Sequence, residues 1–254
     1  MYIQLFILFS IPLLAGLSIY FLPSLSKQIY HFSLVFGGSY LFSFLLVHML
    51  PELFESWHKH YQMIGLYLLI GFFLQIFLDF LSGGIAHGHS HSTKNVKTAK
   101  FTQLLPLVLG LSIHALLDGI LLSFAGTPSI GHCHHHHHHH VGGLLFGIVL
   151  HKMPISFILS MLLKGMNDNK KINFLFLLLF CLASPAGWLL ANALQASAIF
   201  SSHALLAINA VAVGSLLHIA TTILFESSPE HHFNAKKLVM ILSGGILAVV
   251  MTHV

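Results

Sequence analysis

The chain has 254 residues, of which 56% are hydrophobic and 7% charged, and its mean hydropathy is +0.85. Soluble globular domains are far more polar than this, so a membrane protein is expected. The net charge of +4 comes from eleven lysines with no arginine, and two cysteines are too few for a disulfide framework.

Eight apolar blocks reach or approach the ~20 residues that cross a ~30 Å hydrocarbon core as a helix. They run over approximately 3–22, 32–52, 62–82, 103–124, 142–163, 172–194, 204–225 and 237–253, as one transmembrane domain over 1–254 with both ends of the chain at membrane-crossing segments. The first block lacks a basic leading region and a persuasive cleavage site, so it is read as a span rather than a secretory signal. An eight-span weave puts Lys27, Lys94, Lys97, Lys100, Lys164, Lys170, Lys171, Lys236 and Lys237 on one side, with Lys59 opposite and Lys152 inside the fifth span. Positive charge marks the cytoplasmic face, which places both termini outside and leaves no basic surface for nucleic acid.

Ionisable residues within the hydrocarbon cost ~2.5 kcal/mol or more each at mid-depth on insertion scales, so they point to function. The second span ends in "HMLPE", where His48 and Glu52 stand four apart at its outer end, either as entrance ligands or as a polar pair at the headgroups. The third ends near Asp79, read as an interfacial charge, and runs into a histidine-rich cytoplasmic loop, about 84–101, that contains His87, His89 and His91.

The fourth span, "LVLGLSIHALLDGILLSF", carries His114 and Asp118 four apart, one above the other on one helical face. An external loop, about 126–141, follows, in which Cys133 and the run His134 to His140 offer soft and nitrogen ligands. A tag would normally sit at a terminus. A run of this kind has nothing to fix its ligands, so it suits collecting ions outside rather than selecting them.

The fifth span, "GIVLHKMPISFILSML", has His151 beside Lys152 and three residues ahead of Pro154. Proline leaves the carbonyl of Leu150 without its helical donor, so a kink is expected beside His151, as in the broken helices around transport sites. Helices joined by one loop are expected to be neighbours. His114, Asp118 and His151 then form an N, O, N set for one divalent cation, against the alternative of a hydrogen-bonded cluster without metal. His218 in the seventh span is read as a satisfied interior histidine or part of an exit route, and Glu226 as interfacial.

"HALLDG", "HKMP", "HMLPE" and "GIAHGHSHS", in this order over eight spans, resemble the ZIP family of divalent-metal transporters across essentially the whole chain. The resemblance implies an all-α bundle in which spans 1–3 and 6–8 form an inverted repeat around spans 4 and 5. The segments from Gly38 and Gly214, "GSYLFSFLLVHMLPE" and "GSLLHIATTILFESSPE", share the weak likeness such repeats leave. It further implies uptake of zinc, or of iron or manganese, into the cytoplasm across the cell membrane, by an elevator-like motion and with an ion between spans 4 and 5. His114, Asp118 and His151 would hold that ion. No resident cofactor is expected; the partners are the ion and the bilayer, and a homodimer is left open.

Four positions depart from the family's pattern. Ala115, Lys152, Ile155 and Ser184 stand where relatives often carry asparagine or acids, and each change removes a donor for a second ion. A single ion is therefore expected, with the Lys152 ammonium standing in for the missing cation and reaching Asp118, unless it snorkels to an interface. Two other readings were weighed. A cation-diffusion exporter would have six spans and a soluble C-terminal domain, whereas this chain ends after the eighth span. An intramembrane zinc hydrolase would need a spare acid or base beside the metal, and none stands at that depth.

Overall fold

The computed structural model describes residues 2–21, 27–56, 61–81, 101–125, 137–197, 201–226 and 235–253, and no strand occurs among them. α1 (Tyr2–Leu17) closes in a 3-10 turn, Ser18–Tyr20. α2 begins as Lys27–Phe44, passes through a π-helical stretch at Leu45–Met49, and resumes as Leu50–Ser56. There follow α3 (Tyr61–Leu81), α4 (Phe101–Ala125), α5 (His137–Met166), α6 (Lys170–Ala196), α7 (Ser202–Glu226) and α8 (Ala235–His253). The helices α1 to α7 each contain a stretch long and apolar enough to cross a membrane. With 19 residues, α8 is close to the length required.

The order of the expected spans is reproduced, but two helices start five residues early, α2 at Lys27 and α5 at His137. α5 starts at His137, so the backbone of His137 to His140 forms its first turn instead of belonging to the expected loop over 126–141. Hydropathy marks where lipid begins, not where a helix does, because a helix can project into water with its backbone hydrogen bonds intact. The rest of the histidine run with Cys133, and the cytoplasmic stretch with His87, His89 and His91, lie outside the described residues.

The two helices with the intramembrane ligands are also the most enclosed. Inside packing covers 72% of the apolar window of α5 and 61% of that of α4, against 17% for α1 and 22% for α3. Only the bundle centre can shelter His114, Asp118 and His151 from lipid on all sides. The outer helices show the complementary pattern, with Phe73, Phe77 and Phe80 of α3 and Val239, Leu242 and Ile246 of α8 facing outward.

The packing of these helices pairs off. α4 lies mainly on α6 and α5 on α1, while α3 lies on α7 and α8 on α2. Glycine makes two of these crossings tight enough for backbones to touch. A Cβ at Gly119 would stand 1.9 Å from the carbonyl oxygen of Ser184, and one at Gly187 would stand 2.0 Å from that of Leu116. The α3–α7 crossing repeats the arrangement through Gly71 and Gly214. Such small-residue contacts are what hold helices together where lipid removes the hydrophobic drive.

Candidate metal centre

The i,i+4 spacing on α4 stacks His114 on Asp118, with Nε2 of the histidine 3.6 Å from Oδ2 of the aspartate. From α5, His151 brings its Nε2 to 3.7 Å from the same oxygen. The two imidazole centroids are 5.9 Å apart with the rings tilted by 55°. One ligand atom from each of the three residues lies within 4.8 Å of the others, and all three side chains are buried. Of the residues expected at the centre, these three are the ones that the fold brings together.

Their polar atoms are ones that could hold a cation. Oδ2 of Asp118 and Nε2 of His151 are buried and make no hydrogen bond, although orphaned polar groups at that depth are costly. His151 directs Nδ1 at the carbonyl oxygen of Gly147, 3.0 Å away. A carbonyl can only accept, so Nδ1 carries the proton and Nε2 presents its lone pair toward Asp118. In a tetrahedral zinc site with bonds of about 2.0–2.1 Å, neighbouring ligand atoms are separated by ~3.3 Å. The two distances to Oδ2 are slightly wider than this and the three ligand atoms lie within 4.8 Å of one another, so a divalent ion would require the side chains to close in.

The turn of α5 that precedes the Gly147 carbonyl is held from α2. The hydroxyl of Tyr40 donates to the carbonyl of Gly143 at 3.0 Å, and its ring lies over Gly147, where a Cβ would meet it at 3.0 Å. Phe44 stacks on Tyr40, and the His48 ring meets Phe44 edge-on at 5.3 Å. This ladder on α2 links the outer histidine to the α5 turn above the centre.

His48 lies in the π-helical stretch, with its Nε2 4.0 Å from Oε2 of Glu52. The two therefore form a separate pair and do not join the central group. π-helical insertions concentrate at functional sites because they displace a side chain from the regular helical register.

Lys152 differs from expectation. It is fully buried, which rules out a snorkelling side chain. Its ammonium does not reach ion-pair distance of Asp118; instead it donates to the Ser184 hydroxyl on α6 and lies 4.9 Å above the Phe180 ring. Ser184 in turn donates to the Ala115 carbonyl of α4. The reason is the tight α4–α6 crossing at Gly119, which brings Ser184 between the lysine and α4.

Asp79, near the end of α3, is partly buried and engaged across the α3–α7 crossing. Its Oδ2 is 3.0 Å from Nε2 of His218, and Gln75 donates to Oδ1 while accepting from Ser215. His218 meets Phe72 edge-on. This α3–α7 network and the Lys152–Ser184 link escaped sequence reasoning, since their members lie far apart along the chain. The signal that was present is periodic: Gln75 with Asp79, and His218 with Thr222, each share one helical face.

No family model matches the chain. Among curated proteins it is similar to the zinc transporter ZIP9 of Micropogonias undulatus, at 32% identity over 177 residues, covering 65% of this chain and 52% of that protein. It is also similar to the zinc transporter ZIP1 of Plasmodium falciparum (isolate 3D7), at 24% identity over 262 aligned positions, covering 77% of this chain and 70% of that protein. The chain thus spans about half the length of the first relative and more of the second. Both relatives are named as zinc transporters.

Proposed function

With curated relatives among the zinc transporters of the ZIP family, we propose that this chain carries a divalent metal ion, zinc first among the candidates, into the cytoplasm through a single-ion site. The observation that carries this reading is the buried cluster of His114, Asp118 and His151, in which a carboxylate oxygen and an imidazole nitrogen point inward without hydrogen bonds. Two imidazoles and one carboxylate also suit Fe²⁺, Co²⁺ or Ni²⁺, and Mn²⁺ less well. The fit to an ion rests on these donors alone.

In this reading the ion arrives from outside past His48 and Glu52, rests on the three central residues, and leaves toward His87, His89 and His91. The lysine distribution supports the direction, because it puts the ends of both α1 and α8 outside the cell membrane. Alternating access between two halves is supported by the way the helices pair. α4 packs on α6 as α5 packs on α1, and α3 on α7 as α8 on α2. That correspondence is the one an inverted repeat of helices 1–3 and 6–8 around α4 and α5 requires. Lipid is the natural cover for the outward apolar faces of α3 and α8.

One ion is favoured over two. Next to the cluster, Ala115 and Ile155 supply no side-chain donor, and Ser184 is already engaged by Lys152. An ammonium at that position repels a second cation.

The deciding experiment is uptake into sealed proteoliposomes over a panel of divalent ions, comparing the unaltered protein with His114→Ala, Asp118→Ala and His151→Ala. Each substitution should abolish or severely reduce uptake of the preferred ion. Undiminished uptake by all three variants would overturn the site. Binding without flux in the unaltered protein would make it a sensor instead.

A further inference from the structure

A carrier that works by alternating access must move its site twice per cycle, once loaded and once empty. The Asp118 carboxylate is buried in the bundle interior, and no protein group hydrogen-bonds its Oδ2. A bare charge there is strongly disfavoured, so an unneutralised empty site would reset slowly or require a second ion for the return.

Lys152 supplies the missing charge from inside the protein. It is fully buried and follows the ligand His151 directly on α5. The ammonium is held by the Ser184 hydroxyl, which is hydrogen-bonded to Ala115, and the Ser184 carbonyl abuts Gly119; these two α4 residues bracket the turn that ends at Asp118. Phe180 underlies the charge at 4.9 Å, a cation–π contact that keeps an ammonium favourable without a carboxylate in contact.

The separation matters as much as the proximity. Because Ser184 takes the lysine's hydrogen bond, Oδ2 of Asp118 is not capped by the ammonium and still faces the two imidazole Nε2 atoms. The lysine balances the carboxylate's charge without occupying the place of the ion.

We propose that Lys152 is a tethered counter-cation that lets the unloaded site cross back through the membrane interior with no exchanged ion. The proposal rests on the transport reading above and adds the return step to it. In the loaded site, the ion's double charge is left uncancelled, and an inside-negative potential draws it inward. The empty site carries none, so its reset is insensitive to potential.

The test compares two fluxes of ⁶⁵Zn²⁺ in proteoliposomes: net uptake into zinc-free vesicles, which needs the empty return, and exchange against internal zinc, which does not. In the unaltered protein the two should run at similar rates. Lys152→Gln should retain exchange while net uptake falls at least about tenfold relative to it, since an uncompensated buried charge is worth more than one decade in rate. Lys152→Arg, which keeps the charge, should recover net uptake. Net uptake that keeps pace with exchange in Lys152→Gln overturns the proposal. If that variant loses exchange as well, Lys152→Arg decides, because it keeps a positive charge at the same place: a ratio of net uptake to exchange like that of the unaltered protein supports the proposal, and a fall in the ratio overturns it. Failure of the transport reading looks different, with neither flux present in the unaltered protein.

Discussion

His151 donates from Nδ1 to the carbonyl oxygen of Gly147 one turn back on α5, at 3.0 Å. This bond selects the tautomer whose Nε2 lone pair faces Asp118, so the helix backbone prepares the ligand before any ion arrives. Tyr40 braces the preceding turn through Gly143. Tyr40→Phe should cost about 0.5–1.5 kcal/mol, because a buried hydrogen bond between α2 and the Gly143 carbonyl is lost. Thermal unfolding in detergent measures this, and zinc affinity should change by less than about tenfold, since the ligands themselves stay in place.

Asp118 and Lys152 are opposite charges buried in one neighbourhood. Asp118→Asn should abolish zinc binding and also destabilise the protein by about 2 kcal/mol or more, because it leaves the ammonium uncompensated. Adding Lys152→Met to it should recover much of the lost unfolding temperature without recovering zinc binding by titration calorimetry. No recovery in the double variant would show that the two charges are energetically independent.

Gly119→Ala places a methyl group where the Ser184 carbonyl oxygen stands 1.9 Å away, and both sides of that contact are backbone. Neither can yield locally, so α4 must separate from α6 at a cost of about 3 kcal/mol or more. The variant should lose most of its folded yield. Gly65→Ala, with nothing within 4 Å of the new methyl, should be neutral or slightly stabilising and serves as the control.

The Asp79–His218 link closes a polar network inside the α3–α7 crossing. Asp79→Asn keeps the shape and weakens the bond to His218, so a loss of about 1–3 kcal/mol is expected, read as a lower unfolding temperature. Zinc binding at the central cluster should persist, because neither residue belongs to it.

Replacing His134 to His140 with glutamine removes the ligands yet preserves the helix-forming character of the first turn of α5. Uptake at saturating zinc should be unchanged, and uptake at scarce zinc should fall. Loss at every concentration would mean that the run does more than collect ions.

Hydropathy alone located the eight helices among the described residues, seven of them long and apolar enough to cross a membrane. It misplaced the start of α5, as His137 to His140 lie beyond the part that lipid constrains. The central residues stood out because ionisable groups are costly in lipid and rare in this chain. Lys152 could be identified as anomalous from the sequence, but not where its ammonium goes: a flexible side chain can reach several neighbours, and Ser184 looked only like the loss of an acid.

Local periodicity thus determined what one helix presents to its surroundings, including His114 above Asp118 on α4, since a turn of 3.6 residues permits nothing else. Which helices meet was decided only in three dimensions. In lipid every apolar face is equally satisfied, so partners are chosen by close fit and by hydrogen bonds between residues remote in the chain. Gly119 against Ser184, Lys152 on Ser184, His218 with Asp79, and the approach of His151 to Asp118 all arise at that level.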